Sequence, residues 1–373
     1  MPGDAGRAEG AGAATTVFFA ALVAAFALYC TALVVLRRGS PRLGAVLAVA
    51  AVVQLLPLAA PLLLSTDAWS YWQYGALPLE GANPYRDAPR EVATNPAYEH
   101  AGAAWRDTTS VYGPAFTLLS EGVARAAGAS EHAAAWTFKT LAALAMLAVA
   151  ALAALLARER GYAAALVGWN PLFAVHFAGG GHNDALMVAL VLGALALATS
   201  GRRAAAAAAW VVSIAIKWVS VVFFVLRAVE AKASRRPVAH RAFAIAAAAA
   251  AGAATLRYGS DWIGATLAAA DNAQRRTSYA LPSRLVQLGA PESVAFALAV
   301  AGLVVGLVLL ARRARTGATY LGWAGCLLLA TTPYLAAWYA VWAVPLAAVE
   351  DDRRAQLVAL AFCVYLLPQT IPL

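Results

Sequence analysis

The sequence predicts an all-α, polytopic transmembrane protein of about 10–13 helices. Three observations carry that expectation. The 373 residues are 62% hydrophobic and only 13% charged, against roughly 25% charged in a water-soluble domain. Apolar runs of roughly 18 residues or more recur along the chain, long enough to cross a hydrocarbon core as helices. The bases gather in short clusters between those runs, which is the ordinary orientation signal of membrane proteins. The formal net charge of +9 therefore calls for no nucleic-acid partner.

Residues 1–14 are rich in Gly and Ala and read as a disordered tail, leaving 15–373 as a single membrane domain. The first helix covers about 15–36. Arginines follow it (Arg37, Arg38) rather than precede it, the opposite polarity to a cleaved signal peptide, so it reads as retained. The second covers about 43–64, and the basic link between the two should be cytoplasmic. That orientation puts a long loop, 65–111, on the outer side. Its aromatics suit short amphipathic helices lying on the membrane.

Segments near 112–128 and 134–157 follow, then one near 161–178 that Asn170-Pro171 breaks, and a turn of three glycines, Gly179 to Gly181. A helix near 184–199 precedes an apolar stretch, 203–229, interrupted at Lys217. Helices near 240–256, 293–311, 317–334, 338–349 and 354–372 complete the chain, with a second outer loop at 257–292. The basic loops conflict with this series at two places. Arg203 and Arg227 to Arg241 should lie on one side, yet the stretch between them is about one span long, and Arg158 with Arg160 poses a similar problem for 112–157. A broken pair of short helices around Lys217 is one resolution. Irregular backbone at membrane depth is tolerated where it lines a cavity, so both interruptions are expected to face the functional cavity. Cys30, Cys326 and Cys363 each stand alone in an apolar run and read as small buried side chains.

Asp67 is the leading candidate for chemistry. It stands where an apolar run meets the loop, and a carboxylate there is costly without a role or a partner. Trp69, Tyr71, Trp72 and Tyr74 follow it, which favours a working base over a carboxylate that merely ends a helix. Gly180-Gly181-His182-Asn183-Asp184 is the second candidate: glycines permit close backbone approach to a ligand, and a helix start favours anions. Helix capping by Asn183 or Asp184 is the plain alternative. Lys217, without an evident acid nearby, marks a site or a counter-ion; Lys139 sits nearer a helix end, where snorkelling explains it. On the second outer loop, Asp261, Asp271, Arg275, Arg276, Tyr279 and Arg284 include arginines that run against the orientation bias and would suit a lipid phosphate. The aromatics Tyr334, Trp338, Tyr339 and Trp342 form either an interfacial belt or a surface for a sugar ring.

Taken in order, these pieces resemble the GT-C superfamily of integral membrane glycosyltransferases. They look most like the polyprenyl-phosphate-mannose-dependent mannosyltransferases: the actinobacterial alpha-1,6-mannopyranosyltransferases, glycosyltransferase family 87 and the first mannosyltransferase of GPI-anchor assembly. The resemblance rests on Asp67 with Tyr71, Asn83-Pro84-Tyr85, Tyr112-Gly113-Pro114, Trp169-Asn170-Pro171-Leu172, Gly181-His182-Asn183-Asp184-Ala185-Leu186-Met187, Lys217-Trp218, and Trp338-Tyr339 followed by Pro345. It implies transfer of a hexose, mannose first, from a polyprenyl-phosphate donor to a glycan or glycolipid acceptor on the outer face of the cytoplasmic membrane. It implies inversion at the anomeric carbon, with Asp67 as base. Tyr71, Tyr85, Tyr112, His182, Asn183, Asp184, Lys217, Arg275, Arg276, Trp338 and Tyr339 are the expected substrate-binding residues. No cofactor and no metal are expected; some members carry a paired Asp-x-Asp where this chain has Thr66-Asp67-Ala68. No large soluble C-terminal domain is expected either. A lipid-linked oligosaccharide ligase or polymerase is the alternative on the same kind of scaffold, and a lipid or sugar transporter the alternative of another class. A transporter commonly shows internal repeats and a midplane site, and neither is visible here.

Overall fold

The computed structural model describes residues 13–39, 41–236, 239–264 and 276–370. Most of the predicted tail, and Arg275 and Asp271 of the second outer loop, lie outside the described residues. Among the described residues there is no strand. The long helices are α1 (Ala13–Leu36), α2 (Leu43–Leu55), α5 (Glu131–Leu156), α8 (Asp184–Thr199), α9 (Arg203–Ile216), α10 (Ser220–Ala233), α11 (His240–Tyr258), α13 (Glu292–Ala314), α14 (Leu321–Thr331) and α16 (Arg353–Leu366). The other α-helices of six residues or more are α3 (Asp67–Ala76), α4 (Pro114–Ala127), α6 (Arg160–Gly168), α7 (Pro171–Phe177), α12 (Leu281–Gln287) and α15 (Val344–Val349). Of the described helices, α1, α5 and α13 are each long and apolar enough to cross a membrane unaided. The protein is an all-α membrane protein.

Local chemistry sets several of these boundaries. Ser130 caps α5 by accepting from the N–H of Ala133, and Asp352 caps α16 by accepting from Arg354 and Ala355. At the break between α6 and α7, Pro171 cannot continue the first helix, while the Asn170 side chain accepts from the Leu172 N–H and starts the second. Lys217 adopts extended backbone between α9 and α10, so 203–233 is the broken pair that the basic loops demand. One cleft is lined by the end of α8, the start of α9, the end of α10 and the start of α11, so α9 and α10 run antiparallel. Their bases therefore share one end of the bundle.

Arg37 and Arg158 belong to that same basic end. The Arg37 guanidinium donates to Gln356 and lies over the Tyr162 ring, and the Arg158 N–H donates to Asp351. The Arg158–Arg160 conflict dissolves because α4 does not cross. Its start touches Ile216 at the opposite end, Glu121 in its middle binds Arg257 from the last turn of α11, and Glu131 at the start of α5 meets His100 of the first loop. The stretch read as a segment near 112–128 thus stays at the end opposite the basic clusters, and α5 alone runs to Arg158. Lys139, fully buried, donates to the carbonyls of Leu58, Ala60 and Pro61, which α2 leaves unpaired where it frays. It caps a helix end rather than snorkelling.

One expectation about the breaks is overturned. Asn170 does not face the cavity: its side chain donates to Cys363 on α16, and its carbonyl lies 3.5 Å from the Gln54 amide on α2. That break serves helix packing. Close packing also explains Gly75 on α3, where an added Cβ would stand 2.1 Å from the Ser120 carbonyl oxygen of α4. Gly75→Ala should therefore force the two helices apart and cost about 1–3 kcal/mol. Gly122→Ala, two residues further along α4 with nothing within 4 Å, should be neutral or stabilising by about 0.5–1 kcal/mol. Thermal unfolding of the two purified variants checks this; equal melting temperatures would refute the close crossing.

Candidate functional site

At the end of the bundle opposite the basic clusters, a cavity of about 290 Å³ opens between α3, the α9–α10 junction and the stretch before α15. Asp67, Tyr112, Lys217, Trp338, Tyr339 and Trp342 are among its walls. These residues come from four separate stretches of the chain.

Asp67 is the first residue of α3, and its N–H donates to the Ser65 hydroxyl at 3.1 Å. A carboxylate in a first helical turn is favoured by the helix dipole. Its Oδ2 accepts from the Tyr71 hydroxyl one turn on, at 3.4 Å, and lies 3.2 Å from Nδ1 of His182. Both of these contacts fall on Oδ2, and the side chain keeps 14% exposure, at the cavity wall. Burial pushes the Asp67 carboxyl up. The His182 ring, the Lys217 charge and the Ser65 hydroxyl together more than offset that and hold it below the usual carboxylate range. His182 is fixed from its other face, stacked on Trp338 at 3.7 Å between centroids and 14° between planes. Neither of its ring nitrogens makes a well-directed hydrogen bond among the described residues.

Asp184 has a different environment. It is the first residue of α8 and wholly buried. Lys217 donates to both its oxygens, at 2.7 and 2.8 Å, and the Trp342 indole N–H donates to Oδ1 at 2.6 Å. Lys217 lies over the rings of Tyr339 and Trp342, which stack on each other at 3.9 Å, and remains 19% exposed. The lysine thus has its acid, 33 residues earlier in sequence.

Of the sequence-predicted residues, Asp67, Tyr71, Tyr112, His182, Asp184, Lys217, Trp338 and Tyr339 converge here. Tyr71 and Tyr112 meet edge-to-face at 5.0 Å and form the wall behind Asp67. Asn183 is buried beside them, with neither end of its amide paired. It occupies the N-cap position of α8 but makes no side-chain cap, so capping does not explain it. The glycines before it do not face a ligand. A Cβ on Gly180 would meet the His176 carbonyl at 2.6 Å, and Gly181 takes a φ of +73° against Phe138 and Ala68, so protein packing requires them.

Tyr85 and Arg276 do not join the site. The Tyr85 hydroxyl lies 3.0 Å from the Tyr112 carbonyl and 2.8 Å from the Thr117 hydroxyl, and its ring packs on Tyr258; it fastens the first loop to α4 and α11. Arg276 pairs with Glu292 and lies over Phe296. Arg284 donates to Tyr365 and Gln287. Neither arginine is left over for a phosphate, and Arg275 lies outside the described residues. Sequence reasoning missed Trp105 and Trp218, which line the cavity. It also missed His176, buried against His182 and Trp338 with both nitrogens unpaired. The first two stood in view, in the aromatic loop and beside Lys217; His176 carried no signal.

The family model described as alpha-(1->6)-mannopyranosyltransferase, N-terminal domain, matches residues 6–232. Alpha-(1->6)-mannopyranosyltransferase A of Mycobacterium tuberculosis is 32% identical over 204 residues, 51% of this chain and 39% of that protein. Alpha-(1->6)-mannopyranosyltransferase A of Corynebacterium glutamicum is 30% identical over 171 residues, 45% of this chain and 34% of that protein. The match thus spans a little over a third of the length of these two relatives. No solved structure matches it.

The Lys217–Asp184 pair should behave as a buried ion pair. Lys217→Met strands a wholly buried carboxylate and should destabilise by about 3–5 kcal/mol. Asp184→Asn in the same chain should recover much of that loss. Thermal unfolding of the single and double variants measures the coupling, and additive effects would dismiss the pair.

Proposed function

The chain belongs to the alpha-(1->6)-mannopyranosyltransferase family, and on that premise we propose that it moves a mannosyl unit from a polyprenyl-phosphate donor to a glycan or glycolipid acceptor. The cavity end of the bundle faces outward in this reading, because Arg37, Arg158, Arg203 and Arg236 mark the opposite end as cytoplasmic. The relatives named above support the sugar. The observation that carries the chemistry is the contrast between the two carboxylates: Asp184 is wholly buried with both oxygens engaged, whereas Asp67 lines the cavity, stays partly exposed and has its tyrosine and histidine contacts on Oδ2 alone.

The acceptor hydroxyl hydrogen-bonds to Oδ1 of Asp67 and attacks the anomeric carbon. The new O–C1 bond forms as the C1–O bond to the lipid phosphate breaks, and the hydroxyl proton passes to Asp67. A single displacement inverts the anomeric centre, so a beta-linked donor gives an alpha product. Charge grows on the departing phosphate, and a preorganised cation lowers the barrier most where charge develops. Lys217 is the cation at hand: it lines the cavity, and Asp184 with the two rings beneath holds it in place. His182, locked on Trp338, keeps the Asp67 carboxylate ionised and oriented. The Trp105, Trp218 and Tyr334 walls offer apolar faces for a sugar ring.

Asp67→Asn keeps the shape but cannot take the proton. Transfer measured with a polyprenyl-phosphate mannose donor should fall by about 10²- to 10⁴-fold, with donor binding and melting temperature unchanged. A near-normal rate would dismiss Asp67 as base. The pH profile is a separate check. A carboxyl held below the usual range stays ionised as the pH falls, so the acid limb of kcat/KM should lie below about pH 4, the ordinary aspartate value. His182→Gln removes the largest offsetting partner and should move that limb upward; an unmoved limb would separate His182 from the base.

A further inference from the structure

At the basic end, far from Asp67, a cleft of about 340 Å³ lies between α8, α9, α10 and α11. Its mouth carries Arg203, Arg227, Arg236 and His240. Its floor is apolar: Trp210 packs on Phe224 at 5.7 Å, and Phe224 stacks on Phe243 at 4.4 Å with 7° between planes. Charge is unbalanced at the mouth. Glu230 takes both Arg227 and Arg236, and Arg203 has no acidic partner among the described residues. In the adjoining hollow Glu350 accepts from the backbone N–H groups of Leu321 and Gly322 and, among the described residues, makes no ion pair with the arginines. Three guanidinium groups thus share one carboxylate. The starts of α9 and α11, which border the mouth, have no side-chain cap, so the helix dipoles add to the same sign.

A cleft with surplus cations at its mouth and a wholly apolar floor matches a molecule with an anionic head and a hydrocarbon tail. We propose that this cleft binds an anionic phospholipid of the leaflet on the basic side, its phosphate on Arg203 and Arg236 and an acyl chain along Trp210, Phe224 and Phe243. Guanidinium groups pair with phosphate oxygens through parallel N–H donors, which an ammonium does not match. A basic pocket between transmembrane helices on the cytoplasmic side is the setting in which anionic lipid heads bind. A soluble phosphate compound would leave the aromatic floor in contact with water. The site has no part in the transfer reaction proposed above and stands or falls without it.

Native mass spectrometry of the full chain in detergent tests the assignment, with phosphatidylglycerol, phosphatidylcholine and inorganic phosphate as probes. Phosphatidylglycerol should be retained at one site more tightly than phosphatidylcholine, and millimolar phosphate should not displace it. Each arginine near a membrane surface contributes about a factor of five, so Arg203→Gln with Arg236→Gln should weaken retention by about tenfold or more. Both side chains are exposed, and Arg227 still pairs with Glu230 in that variant. Should the double variant fail to fold, Arg203→Gln alone carries the test, since no carboxylate depends on it. Equal retention of the two lipids, displacement by free phosphate, or unchanged retention in the folded variant would each overturn the proposal.

Discussion

A lysine in an apolar stretch and a wholly buried aspartate are each prohibitive alone in a membrane protein. The 2.7 Å contact between Lys217 and Asp184 is what allows both to stay. Much of the cavity follows from it. The lysine can reach Asp184 because the helix breaks there: α9 stops at Ile216, Lys217 runs extended, and α10 restarts at Ser220. The break in turn frees backbone groups, and the first loop satisfies one of them, since the Gly113 N–H donates to the Ile216 carbonyl. Only glycine fits, because a Cβ on Gly113 would stand 2.1 Å from the Ala215 oxygen. Trp342 adds a third stretch by donating to the same carboxylate. One ion pair thus gathers α8, the α9–α10 junction, the start of α4 and the stretch before α15.

That arrangement also sets the two carboxylates apart. Asp184 is saturated with donors, so it holds structure. Asp67 stays partly exposed at the cavity wall, and its contacts come from groups that favour the ionised form. A group meant to receive a proton needs an open lone pair and a fixed direction, and Asp67 has both. Trp338 contributes twice, as a wall of the cavity and as the plate against which His182 is held.

The legible features were those written in local sequence. Helical class, the aromatic first loop, the breaks at Asn170-Pro171 and Lys217, and eight of the site residues could be read because each leaves a local mark: a proline, a charge in an apolar run, a cluster of aromatics. What could not be read is pairing across the chain. Lys217 seemed to lack an acid because its partner is on another helix. Tyr85 looked like a ligand residue because nothing local says that its hydroxyl contacts Thr117. The glycines at 179–181 suggested ligand approach, and only the neighbours supplied by α5 and α7 show that protein fills that space. The course of α4 was hidden for a related reason: amphipathic and membrane-length segments shade into each other near 14 residues.

The proposed lipid cleft and the candidate site lie at opposite ends of the same two helices. Arg203 opens α9 and Lys217 follows its last residue, while α10 carries Arg227 back toward the cleft. A helix of 14 residues is about 21 Å long and stiff over that length. That length keeps the two sites apart, and no side chain lines both. Left alone, the arginines at the cleft mouth repel one another, with only Glu230 between them. A lipid phosphate held there would relieve that repulsion at the cleft mouth.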